Sequence, residues 1–125
     1  MSHEHIQPDG LFDSSAFGFS QVVASPPGRM VFISGQVAWD EQLKPVGGSD
    51  VGAQAKQAFA NLGRALEGAG ATPADLTMVR VYIVNYQPEH ARAIAPHMHA
   101  FLGGATPPAS TWIGVQSLVA DGLLI

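Results

Sequence analysis

The residues able to carry chemistry are few and widely spaced. The chain has five histidines and no cysteine, so disulfides, thiol nucleophiles and thiolate zinc sites are excluded. His97 and His99 stand two apart, and on a helix they point about 200° away from each other. His90 and His97 share a helix face, but two turns is too long a span for one ion. His3 and His5 fall near the N-terminus, and no His-x-x-x-His pair occurs. No metal site and no cofactor are expected. Glu41, Asp50, Glu67, Asp75 and Glu89 fall in loops or on helix faces, where solvation and capping account for them. None stands beside a partner that marks a general acid or base. Gly68-Ala69-Gly70 follows a helical pattern and has Pro73 where a dinucleotide fingerprint needs its third glycine, so it reads as a helix stop. Ile33-Ser34-Gly35-Gln36 offers a hydroxyl and an open backbone amide at a strand end. Taken alone, a bulge or bend at the strand end is the favoured explanation.

These residues need elements to hold them. Residues 17–24 and 30–37 are strand-like and flank Ser25-Pro26-Pro27-Gly28, which predicts an antiparallel hairpin. Ser49 or Asp50 can cap a helix. Val51, Ala55, Ala58, Phe59, Leu62, Ala65, Leu66 and Ala69 then form one apolar stripe that ends at Gly68 and Gly70. Its alanines imply close approach to a flat partner. Residues 76–84 alternate as a strand, with Val79, Val81 and Ile83 on one face. Pro88 opens a second helix to about Leu102, which Pro96 should kink or restart. Gly103-Gly104 stops it, and strands follow over residues 110–118 and from Leu123. The order β-β-α-β-α-β-β predicts an α+β fold, a single mixed sheet with two helices on one face. Residues 1–12 read as a mobile arm of one domain spanning residues 1–125.

Composition narrows the function classes. Apolar residues make up 46% of the chain and charged residues only 13%, against roughly a quarter charged in ordinary soluble domains. A surface so short of charge, with one sheet face left bare, predicts self-association. The net charge is −4, and Arg29, Lys44, Lys56, Arg64, Arg80 and Arg92 are scattered singly, so no nucleic-acid partner is expected. Neither a signal peptide nor a membrane span is apparent, which points to a cytoplasmic protein with no membrane partner.

Four segments in order carry a resemblance. Val31-Phe32-Ile33-Ser34-Gly35-Gln36-Val37 resembles the Ser-Gly-Gln strand of the RidA (YjgF-like) family, also labelled endoribonuclease L-PSP. Gln54, Asn61-Leu62 and Leu66-Glu67-Gly68-Ala69-Gly70 are similar to its first helix and exit. Val79-Arg80-Val81-Tyr82-Ile83-Val84 is similar to its central strand. Phe101 with Pro108-Ala109-Ser110-Thr111 resembles the loop and strand that carry its active site. The resemblance implies a chorismate-mutase-like, RidA-like fold, a homotrimer with a barrel of three sheets, and small-molecule clefts between subunits. It also implies metal-free hydrolysis of enamines and imines such as 2-aminoacrylate to keto acids and ammonia.

Position by position, the resemblance places Phe19, Ser34, Gly35, Ser110 and Trp112 in the substrate-binding cleft. Phe19 stands where the family has tyrosine. Ser110 stands where deaminating members have the arginine that clamps a substrate carboxylate. Trp112 replaces a small residue, and the water-positioning glutamate would fall at or just past Ile125. No catalytic residue is assigned. The departures predict a deaminase acting on an imine or enamine other than 2-aminoacrylate, less acidic and aromatic enough to stack on Phe19 and Trp112. The alternatives are a non-catalytic metabolite binder and, least favoured, an endoribonuclease.

Overall fold

The computed structural model describes residues 3–125; Met1 and Ser2, the start of the expected arm, lie outside them. Four strands and two helices follow in the order β1 (Glu4–Ile6), β2 (Val22–Ala24), α1 (Val51–Gly68), β3 (Met78–Val84), α2 (Pro88–Leu102) and β4 (Ala109–Val115). Single 3₁₀ turns lie at Ser15–Phe17 and Pro73–Asp75.

Local chemistry sets the helix ends. The Asp50 carboxylate accepts hydrogen bonds from the Gly52 and Ala53 amides at 2.9 and 3.2 Å, satisfying first-turn donors of α1. Beyond its end, Gly70 takes a left-handed φ of 72°. Pro88 starts α2 with φ preset, and His90 Nδ1 accepts the Gln87 amide at 3.0 Å. The helix runs through Pro96 as one element: the ring costs one intrahelical hydrogen bond, and core packing of Ile94 and Met98 on either side stabilises the helix across it. Gly103, at φ 58°, ends it.

α2 is also the crossover that a parallel strand pair requires. β3 and β4 run parallel, with Val79 opposite Ser110, Val81 opposite Trp112 and Ile83 opposite Gly114. The core joins Ala55 and Phe59 of α1, Ile94 and Met98 of α2, Val81 and Ile83 of β3, and Ile125. Both helices therefore cover one face of this pair, as the alternation in residues 76–84 predicts. Side chains opposite one another in a ladder share a face. Ser110 and Trp112 thus belong to the helix-covered side, whereas Arg80 and its partner Thr111 belong to the other. Gly114 lets Tyr86 pack close, since a Cβ there would lie 3.0 Å from the Tyr86 Cβ and the neighbour would have to shift.

The single mixed sheet is not what forms. The strands make two separate ladders, β1 with β2 and β3 with β4. Residues 17–24 and 30–37 do not pair as a hairpin; β2 instead pairs antiparallel with β1, Glu4 opposite Ala24 and Ile6 opposite Val22. Residues 4–6, placed by sequence in a mobile arm, are therefore a strand, and His3 Nε2 lies 2.8 Å from the Asp75 carbonyl. Pro26 and Pro27 explain the failed hairpin, because adjacent prolines remove two amide donors beside its turn. Residues 30–36 run outside any strand, with Met30 76% and Phe32 86% exposed. The Asn61 side-chain amide holds the end of this segment, donating to the Val37 and Trp39 carbonyls at 2.8 Å.

The last strand, expected from Leu123, also does not form. The Leu124 carbonyl accepts from the Val84 amide at 2.9 Å, but the Leu124 amide is taken by Gln54 Oε1 at 2.8 Å and cannot extend a ladder. A cavity of about 1140 Å³ separates the segment around residues 29–37 from β3 and α1. Among the described residues, no helix is long and apolar enough to cross a membrane.

Candidate functional site

The start of β4 carries two of the five cleft residues expected from the sequence, and the backbone beside a third is tied next to it. Ser110 and Trp112 are two apart on a strand and so project to the same side. The Trp112 indole Nε1–H donates to Ser110 Oγ at 3.0 Å in a partly buried setting. The body of the indole packs against the core cluster, so the ring is held both by packing and by its polar tip.

Phe19 is brought to the same end of β4 by its neighbours. The Ser20 amide donates to the Pro108 carbonyl at 3.0 Å, and the Ser20 hydroxyl donates to the Pro107 carbonyl. On the other side, Ser14 Oγ donates to the Phe19 carbonyl at 2.6 Å. The turn before it is fixed by Asp13, whose carboxylate accepts from the Ser15 hydroxyl and amide. The Ser15 hydroxyl bond, then the amide bond, hold the Asp13 carboxyl below its ordinary value. The Phe19 ring meets Phe12 edge to face, centroids 6.0 Å apart.

Ser34 and Gly35 lie elsewhere. They line the large cavity beside β3, together with Arg80 and Tyr82, and that cavity does not include Phe19, Ser110 or Trp112. Within one chain, then, the five residues fall into two groups: Phe19, Ser110 and Trp112 in one, Ser34 and Gly35 in the other.

The register also bears on how Arg80 stands relative to Ser110 within its own chain. Arg80 lies opposite Thr111 on the far face of the strand pair, so the sheet itself separates its guanidinium from the Ser110 hydroxyl. Arg29 donates one hydrogen bond to the Ala69 carbonyl at the end of α1, 2.6 Å away. Among the described residues, no three or more His, Cys, Asp or Glu side chains cluster so as to hold a metal ion.

Sequence reasoning about the site missed Gln54. Its side chain is 2% exposed, and it ties the loop before α1 to the end of the chain. Nε2 donates to the Gly48 and Gly122 carbonyls at 2.7 and 2.8 Å, while Oε1 accepts the Leu124 amide. The available signal was its position, one turn after Val51 and next to Ala55 on an otherwise apolar stripe.

The profile of the endoribonuclease L-PSP family matches residues 13–125, nearly the whole chain. The chain belongs to the Rid (YjgF, endoribonuclease L-PSP) family. It is similar to the Rid-family protein YyfB of Yersinia pestis, itself described as of unknown function. The two share 44% identity over 99% of this chain and 93% of that one, with a TM-score of 0.94. A Mycobacterium tuberculosis member of the YjgF/YER057c/UK114 family is 29% identical over 98% of this chain and 92% of its own, with a TM-score of 0.60. RidA from an Antarctic Psychrobacter is 26% identical over 97% of this chain and 92% of its own, with a TM-score of 0.67. No curated protein sequence matches significantly. The Rid-family membership that the four sequence segments pointed to therefore holds, as does the α+β fold with two helices.

Proposed function

We propose that this Rid-family chain assembles as a homotrimer and hydrolyses an imine or enamine-type metabolite other than 2-aminoacrylate in a cleft between subunits. The observation that carries this reading is the Ser110–Trp112 pair: a hydroxyl already bonded to an indole stands where the deaminating relatives are expected to have a carboxylate-clamping arginine. In the reaction, water adds across the C=N bond, the C–N bond breaks, and a carbonyl compound and ammonia leave. Phe19, Ser110 and Trp112 from one subunit and Ser34 and Gly35 from its neighbour would together line the cleft, which gives a reason for their separation within a single chain.

Assembly is supported by the face of β3–β4 turned away from the helices. Met78, Tyr82 and Ile113 there are 43%, 42% and 36% exposed, an apolar surface of the kind subunit interfaces cover. Tyr82→Asp combined with Ile113→Asp is expected to convert a particle of three chains to single chains, as read by light scattering at micromolar concentration. A native particle of one chain would overturn both the trimer and the shared cleft.

A second reading, a binder without turnover, draws on a specific observation. Phe19, Ser34, Gly35, Ser110 and Trp112 include no carboxylate to position an attacking water. Ammonia release from imines generated in situ, measured against their spontaneous hydrolysis, separates the two. Acceleration supports the enzyme, whereas saturable binding without acceleration supports the binder. RNA cleavage, suggested only by the family label, is opposed by the net charge of −4.

A further inference from the structure

We infer that Ser110, held by Trp112, makes this cleft selective for an uncharged ligand that presents a carbonyl-type acceptor beside a flat apolar group. This rests on the cleft proposed above and names the ligand class it takes.

A serine hydroxyl has one proton and two acceptor sites. The Trp112 indole Nε1–H, 3.0 Å from Ser110 Oγ, occupies one of those acceptor sites. Its own proton cannot point back at the indole hydrogen, so it is directed away, as a donor. An indole has no acceptor to exchange roles with, and packing of Trp112 against the core cluster keeps the ring from turning aside. The pair therefore presents a neutral donor, turned away from the indole N–H, next to an aromatic surface.

That arrangement discriminates by charge. Within its own subunit, a carboxylate entering here exchanges its hydration for one neutral hydrogen bond, because Arg80 lies on the other face of the strand pair. Burying a charge without a partner is far costlier than burying a neutral carbonyl that is hydrogen-bonded. An amide or ketone oxygen gives up less hydration and gains the same bond. The exposed part of the Trp112 ring, which is only half-buried, offers the adjoining flat group a stacking surface. Trp112 is thus a positioning residue that acts through Ser110.

Phenylacetamide and phenylacetate are a suitable probe pair, equal in shape and different in charge. Titration of the native protein, followed by calorimetry and by the Trp112 indole ¹H–¹⁵N resonance with Trp39 as internal reference, should show phenylacetamide binding at least about tenfold more tightly. Ser110→Ala is expected to abolish the amide preference. Trp112→Phe, which keeps a ring and loses the N–H, is expected to reduce the amide-to-carboxylate ratio in calorimetry. A purely structural role for Trp112 would lower both affinities and leave that ratio unchanged. Equal affinity for the two probes, with the Trp112 resonance moving in both titrations, overturns the selectivity and leaves the cleft standing. No movement of that resonance with either probe overturns the cleft as well.

Discussion

Replacing Gln54 with leucine is expected to lower the unfolding free energy by about 2–4 kcal/mol. The side chain is of similar volume, so the loss comes from polar groups rather than from a cavity. Gln54 is 2% exposed and satisfies the Leu124 amide and two carbonyls, those of Gly48 and Gly122. The glycine carbonyls lie in exposed loops and can turn to water, whereas the Leu124 amide sits between the buried residues Leu123 and Ile125. Leaving that donor unsatisfied costs about 1–3 kcal/mol, and the lost bonds to the two carbonyls make up the rest. Urea unfolding gives the free energy, and hydrogen exchange at Leu124 should show the end of the chain released first. Gln54→Glu should be worse, because its carboxylate would face two carbonyl oxygens. A change below about 0.5 kcal/mol, as at an ordinary surface position, would mean that the Gln54 bonds do not hold this region together.

Ser110→Arg is expected to raise kcat/KM for 2-aminoacrylate by about a hundredfold or more. A guanidinium pairs with a carboxylate through two parallel hydrogen bonds, and each charge-assisted bond is worth about 1.5–3 kcal/mol. Two bonds at the low end correspond to about two decades in rate when they are made in the transition state. In the proposed cleft Trp112 limits the gain, since it would lose its acceptor at Ser110 and its ring would crowd a bound carboxylate. Adding Trp112→Ala to Ser110→Arg should therefore improve KM further. An unchanged kcat/KM in both variants, with the native fold retained by circular dichroism, would mean that position 110 does not face the substrate.

The elements visible in the sequence are those whose pattern is enforced locally. α1 and α2 carry apolar stripes, a cap at Asp50, a proline at 88 and glycines at 70 and 103, and each forms where those signals place it. β3 alternates cleanly and pairs with β4 through a helix crossover, which leaves little choice of topology. Residues 30–37 are as strand-like in composition as β3, but strand formation depends on a partner, and the prolines at 26 and 27 withdraw the adjacent one. The pairing of β2 with residues 4–6 had no local signal, since three residues in a polar stretch show no periodicity. At the candidate site, a resemblance could mark Ser110 and Trp112 but not the bond between them. That bond depends on the two side chains sharing a strand face and on the core fixing the indole. Gln54 was hidden for a related reason: a polar residue on an apolar stripe is informative only once its three partners are known.

The decisive comparison is ammonia release by the native protein from freshly generated 2-aminoacrylate and from its uncharged counterpart, 2-aminoacrylamide, corrected for spontaneous hydrolysis. In the proposed cleft the two differ only in whether the group facing Ser110 carries a charge. A neutral donor at Ser110, backed by Trp112, predicts turnover of the amide with a kcat/KM at least about tenfold above that for the acid. Equal or faster turnover of 2-aminoacrylate would mean that some other group clamps the carboxylate, and the proposed redirection of this cleft away from charged substrates would be wrong.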